Sequence, residues 1–166
     1  MDIRTGHLDH PAVVALLREH LHALAQLTPT DSMHALGIER LKAPDITFWS
    51  AWDGVDVMGC VALKHLDDAH GELKSMRTAA RHLRRGVGAR LLDVALAEAR
   101  RRGYTRVSLE TGVTPEFGAA HALYRRAGFR ECGPFGAYRP DPHSLFMTLD
   151  VAVDSRPVGR STVATT

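Results

Sequence analysis

The chain has 166 residues, the size of one ordinary domain. At 45% hydrophobic and 24% charged it is neither a disordered nor a fibrous sequence, and no apolar run approaches the roughly 18–20 residues of a membrane span. Net charge is only +2 but uneven: residues 1–76 hold 6 Lys+Arg against 11 Asp+Glu, residues 77–106 hold 9 against 2, and residues 107–166 hold 6 of each. A basic focus of this kind predicts an anionic partner, either nucleic acid or a phosphorylated cofactor, with a solvated helix face as the alternative.

The start, "MDIRTGHLDH", carries acids and has no apolar h-region, which argues against a secretory signal. "DIRTG" reads as a short first strand. From Pro11 to Leu27, Val13, Leu16, Leu17, Leu21, Leu24 and Leu27 recur at helical steps, with Asp9 as the expected N-cap before Pro11. "TPTDSMHALGIERLKAP" predicts a second short helix, capped by Asp31 or Ser32 and closed by Pro44. "ITFWSAW", "DVMGCVALKHL" and "GELKSMRT" read as a strand meander that turns at Asp53-Gly54 and enters its third strand through Gly71. Cys60 in this meander and the distant Cys132 form no CxxC, so free cytoplasmic thiols are expected, with a nucleophilic cysteine as the alternative.

From Gly88 to Arg102 an apolar stripe of Leu91, Leu92, Ala95, Leu96 and Ala99 predicts a helix that stops at Gly103. "YTRVSLET" alternates like a strand. Pro115 to Ala127 predicts a helix with Thr114 as N-cap and Gly128 as its stop, and "GFRECG" and "SLFMTLDV" close the domain as strands. The order β-α-α-β-β-β-α-β-α-β-β is that of an α/β domain, antiparallel in its first half. A single domain is expected over residues 1–153, followed by a small, polar, flexible tail at 154–166.

"RHLRRGVGARLL" places Gly86-Val87-Gly88 at a helix start behind arginines. A dinucleotide fingerprint needs a third glycine where this chain has Leu91, and a Walker loop needs a Gly-Lys pair that is absent. An anion site still makes physical sense. The first amides of a helix lack internal partners, carry the positive end of its dipole, and are reached closely where glycine replaces a side chain.

The stretch "GELKSMRTAARHLRRGVGARLL", followed by "ALYRRAGF" with Ala120, Leu123, Tyr124, Gly128 and Phe129, resembles the Gcn5-related N-acetyltransferase (GNAT) superfamily over about residues 2–150. The segments "HALG", "ITFWSAW", "LKSMRT", "SLETG" and "DPHSLFMT" resemble a bacterial subgroup of uncharacterised members. The resemblance implies the GNAT fold, a mixed, mostly antiparallel sheet flanked by helices. It implies acetyl transfer from acetyl-CoA to a primary amine of a small molecule or peptide by direct attack. Met76, Arg77 and Thr78 would bind the pantetheine arm and polarise the thioester. The backbone of Arg84, Arg85, Gly86, Val87, Gly88 and Ala89 would hold the pyrophosphate. Leu83 stands where the family motif has Gln or Arg, and Phe117 where many members have Asn.

By the same resemblance Tyr124 would protonate the departing thiolate, and Glu72 would be the general base. Glu110, which shares a strand face with Ser108, is the second candidate base, and a water chain is a third route. His34, on its short helix, is within range of a substrate but reads more readily as structural, and Trp49 and Trp52 read as core, with a wall of the acceptor pocket as the alternative. No metal is expected, since the ten histidines show no ligand pair of the HExxH kind. No membrane partner is expected, nucleic acid ranks last for want of an RNP-like aromatic motif, and homodimerisation is common in the superfamily. The competing reading is a CoA-binding or regulatory module on the same fold without catalysis.

Overall fold

The computed structural model describes residues 1–152; the C-terminal tail expected at 154–166 and its boundary at 153 lie outside the described residues. Strand β1 (Asp2–Thr5) is followed by helix α1 (Pro11–Leu27), a 3-10 turn at Thr30–Ser32, one-turn helix α2 (Ile38–Leu41), β2 (Ile46–Asp53), β3 (Asp56–Asp67) and β4 (His70–Thr78). Then come α3 (Val87–Arg101), β5 (Arg106–Gly112), a 3-10 turn at Pro115–Phe117, α4 (Gly118–Arg126), β6 (Arg130–Cys132) and β7 (Ser144–Asp150). The strands form one 7-stranded sheet in the order β1-β2-β3-β4-β5-β7-β6.

Local chemistry adjusts the expected boundaries. The α1 span is as predicted, but its cap is His10, whose Nδ1 accepts the Ala12 N–H at 3.1 Å, while Asp9 instead accepts a hydrogen bond from Lys42. The predicted second helix is two pieces. Asp31 and Ser32 sit in the 3-10 turn, and Gly37, extended at φ −68° and ψ 164°, caps α2. The stretch between them is free to run along the sheet and reach the site. Thr114 makes no side-chain cap bond, and the first turn after Pro115 is 3-10 rather than α.

Two cores flank the sheet. On one face Val87, Leu91, Leu92 and Ala95 of α3 pack on Val61, Leu63, Leu73, Leu109 and Met147. On the other, Val13, Leu16 and Leu17 of α1 pack on Phe48, Trp52, Cys60 and Ala62. Trp49 and Trp52 are both buried. The α3 face comes close because β3 has no side chain at Gly59: a Cβ there would lie 2.6 Å from the Arg77 carbonyl oxygen and 3.0 Å from Val87 Cγ1. That contact seats the first turn of α3 beside the end of β4.

Among the described residues the only parallel pair is β4–β5, and its register runs from His70↔Arg106 to Leu73↔Leu109 and then stops. Beyond that point β4 continues to Thr78 and β5 to Gly112 without pairing to each other. The split begins where β4 bulges. Ser75 adopts φ 53°, the β3–β4 register shifts between Cys60 and Ala62, and the Cys60 thiol donates to the Ser75 carbonyl at 3.2 Å.

Candidate active site

A cleft of about 120 Å³ fills the split. It is lined by Leu73–Met76 of β4, Leu109–Gly112 of β5, Phe117, Ala120 and Tyr124 beyond β5, His20 and Leu24 of α1, and the 32–35 segment. Phe117 packs directly on the β5 backbone: a Cβ on Gly112 would stand 2.2 Å from its ring, so only glycine admits it.

Beside the cleft, the loop before α3 presents bare backbone. Arg84 (φ 61°) and Gly86 (φ 76°) take left-handed conformations, and no side chain caps the helix. Among backbone hydrogen bonds outside regular elements, Leu83 N–H reaches Ala80 and Arg90 N–H reaches Gly86, while the amides from Arg84 to Ala89 have no backbone acceptor. A Cβ on Gly86 would meet nothing within 4 Å, so the turn is open above. Gly88 abuts its neighbours: a Cβ there would lie 3.1 Å from Leu123 and 3.7 Å from Thr78 Oγ1. The amide run is thereby tied to the end of β4 and to α4. A string of free N–H groups at a 15-residue helix start fits a diphosphate.

Side chains divide sharply. Met76 lines the cleft. Arg77 turns to the opposite face and pairs with Glu19 of α1 at 3.0 Å, so only its backbone can serve the cleft. Arg85 contacts His82 Nδ1 at 2.6 Å and approaches Asp53 at 3.6 Å. Val87 is core at 1% exposure. Leu83, the departure from the family motif, points to solvent.

Tyr124 is buried in the cleft wall against Phe129, and burial alone raises its phenol pKa. Glu110 faces the same cleft and accepts a hydrogen bond from Ser144 at 2.9 Å. Its carboxyl is held above the ordinary range mainly by desolvation, against the opposing pull of Ser144, His34 and Lys74. His20 lines the cleft too, and burial, aided by Arg77, lowers its pKa to about 4. The buried Cys60 thiol is pushed up to about 12 by desolvation, which disfavours the thiolate and with it the nucleophile reading.

Glu72 stands elsewhere. It is absent from the lining of the cleft that holds Tyr124 and borders a second cavity of about 460 Å³ with Lys64, Tyr138 and Arg139. Its carboxylate is bound by Tyr138 and Lys74. His34, read as structural from sequence, lines both cavities, as does Lys74. Lys74 stands two residues beyond Glu72 on β4, so strand alternation is a signal that would have paired them, but no pattern in the sequence ties Tyr138 to either. Among the described residues no group of three or more His, Cys, Asp or Glu is placed to hold a metal, and no helix is long and apolar enough to cross a membrane.

A helix-flanked sheet opened between two parallel strands, with free helix-start amides beside the opening, defines an acyltransferase fold. The model of the Acetyltransferase (GNAT) family matches residues 14–129, and the chain belongs to that family. It is 51% identical over 148 residues to YsnE of Bacillus subtilis, an uncharacterized N-acetyltransferase, covering 89% of this chain and 98% of YsnE. YedL of Escherichia coli, also an uncharacterized N-acetyltransferase, is 50% identical over 147 residues, covering 89% of this chain and 92% of YedL. Among solved structures, one assigned as an acyl-CoA N-acyltransferase of Klebsiella pneumoniae superposes with a TM-score of 0.73 at 26% identity, covering 91% of this chain and 97% of that one.

Proposed function

We propose that this acetyltransferase moves an acetyl group from acetyl-CoA to a primary amine of a small molecule or peptide by direct attack. The observation that carries the reading is the run of free amides from Arg84 to Ala89 set beside a cleft that holds both Glu110 and Tyr124. Acetyl-CoA, when bound, supplies the activated thioester. The amides of Arg84, Arg85, Gly86, Val87, Gly88 and Ala89 hold the pyrophosphate. Met76, Arg77 and Thr78 lie on the stretch of β4 that runs past the end of its pairing with β5, where a backbone N–H would polarise the thioester carbonyl.

Two side chains manage protons. Glu110, in a desolvated site that raises its pKa, takes the proton from the incoming ammonium. Tyr124, kept protonated by burial, donates to the departing sulfur. We assign the base to Glu110 ahead of Glu72 because Glu110 shares the cleft with Tyr124 and Glu72 does not. The free thiols of Cys60 and Cys132 suit a reducing compartment, the cytoplasm.

The test is a turnover screen that reads thiol release from acetyl-CoA over amino acids, simple amines and short peptides, together with thermal melting. Millimolar acetyl-CoA should raise Tm by several degrees, because a ligand selective for the native state stabilises it. At least one amine should release thiol. No Tm shift and no release would overturn the proposal, and a shift without release across the panel would favour the regulatory module.

A further inference from the structure

We propose that Glu72, Lys74 and Tyr138 form a clamp that pins the β6–β7 loop against the sheet as one wall of the acceptor pocket, so that Glu72 positions the acceptor rather than taking its proton. This rests on the reading in which Glu110 is the base.

Glu72 is 2% exposed, and the charged end of Lys74 beside it is also buried. The Tyr138 hydroxyl donates to Glu72 Oε2 at 2.6 Å. Lys74 Nζ donates to the same oxygen at 3.2 Å and to the Tyr138 hydroxyl at 2.9 Å. The three groups close a triangle in which the phenol both gives and receives. Both donors converge on one carboxylate oxygen, Oε2, so that oxygen is engaged inside the protein rather than offered to a substrate. A carboxylate held this way is suited to anchoring.

What it anchors is the loop of residues 133–143, which links β6 to β7 and spans the face of β4 and β5 that carries Glu72, Ser108 and Glu110. Tyr138 is its fulcrum. The ring stands edge-on to His34 at 5.0 Å and to Phe135 at 5.1 Å, and tilts on Phe146 at 5.4 Å. Asp141 of the same loop approaches His34 Nε2 at 4.0 Å. The clamp thus joins the sheet, the loop and the 33–37 segment. Lys74 and His34 are also the two side chains that border both the cleft and the larger cavity. Releasing Tyr138 would move the wall that an acceptor meets while leaving the α3 amides in place.

The test uses the full chain and the variants Tyr138→Phe, Glu72→Ala, Glu72→Gln and Glu110→Gln. Hydrogen exchange of peptides covering residues 133–143 should rise about tenfold in Tyr138→Phe and Glu72→Ala, with α3 unchanged, because a segment opens locally more often once the hydrogen bonds that tether it are gone. Glu72→Gln, whose amide oxygen still accepts from both donors, should keep most of the protection, and Glu110→Gln should leave it unaltered. Acetyl-CoA, as the binding probe, should retain its affinity within about twofold. With the amine chosen by the screen, Tyr138→Phe should raise the acceptor KM about tenfold and leave the acetyl-CoA KM alone.

The acid limb of the pH–rate profile should persist in Glu72→Gln and vanish in Glu110→Gln. Wild-type loop exchange in Tyr138→Phe overturns the clamp. So does loss of the acid limb in Glu72→Gln with a kcat fall of about 100-fold or more, the size expected for a lost base. An intact acid limb in Glu110→Gln defeats the Glu110 assignment alone, since the exchange results judge the clamp separately.

Discussion

Tyr124 is buried in the cleft wall and packed against Phe129, and its hydroxyl is not among the buried polar atoms left without a partner. The residue lines the cleft, and a thiolate leaving group is what the proposed reaction supplies to that hydroxyl. Replacing Tyr124 with Phe should therefore cost little stability and reduce kcat by about 10- to 100-fold, within the range for a lost proton donor, with acetyl-CoA affinity retained. Thiol-release kinetics and the acetyl-CoA-induced Tm shift check both halves. Tyr124 was singled out in the sequence through the family resemblance that Ala120, Leu123, Gly128 and Phe129 carry around it, on one short helix and turn. Tyr138 was not, since it meets Glu72 across 66 positions, through a loop with no periodicity. Glu110 was half legible: alternation put it on the Ser108 face, but only the course of β4 and β5 shows that this face opens into the cleft beside Tyr124.

Helix α3 shows how far an element's placement depends on its partners. Its stripe predicted its extent to within a residue, yet its depth is set by Gly59 on a strand far upstream. Gly59→Ala would force its Cβ to 2.6 Å from a backbone oxygen, which cannot swing aside as a side-chain tip can. Overpacking of this kind costs about 1–3 kcal/mol. The expected outcome is a lowered urea midpoint with weakened acetyl-CoA binding, because the shift displaces the α3 start. Loss of stability with unchanged binding would separate the two effects. The segment after α1 was the least legible element. Cap residues Asp31 and Ser32 and the apolar positions that follow satisfy a helix pattern on paper. Gly37 divides that pattern, and the intervening residues fold toward the cleft instead, where His34 meets Tyr138.

At the scale of the molecule, desolvated histidines set a pH response. His20 is lowered from 6.5 to about 4 by desolvation and then by Arg77. His70 is lowered by desolvation and then by Arg106, within a chain of hydrogen bonds to Ser108 at 2.7 Å and on to Thr148 at 2.9 Å. Between the unfolded and folded pKa values the unfolded chain binds more protons. Stability from these groups is therefore complete above about pH 6.5 and falls as pH drops toward about 4. Glu110, raised, works in the opposite sense in its own window. The urea midpoint should decline from pH 7 to pH 5, and His20→Gln should flatten that decline; an unchanged slope would count against the desolvated-histidine account. The antiparallel first half followed from the sequence because β1 to β4 are consecutive neighbours, each running back along the last. What no local pattern announces is the short parallel pairing of β4 with β5, which ends at Leu73↔Leu109. Its consequence concerns the order of assembly. The first four strands can form a complete meander as the nascent chain emerges, before β5 has been synthesised. The cleft exists only where the later half docks on the earlier one, so a chain halted before β5 would have a sheet and α3 but nowhere to do chemistry.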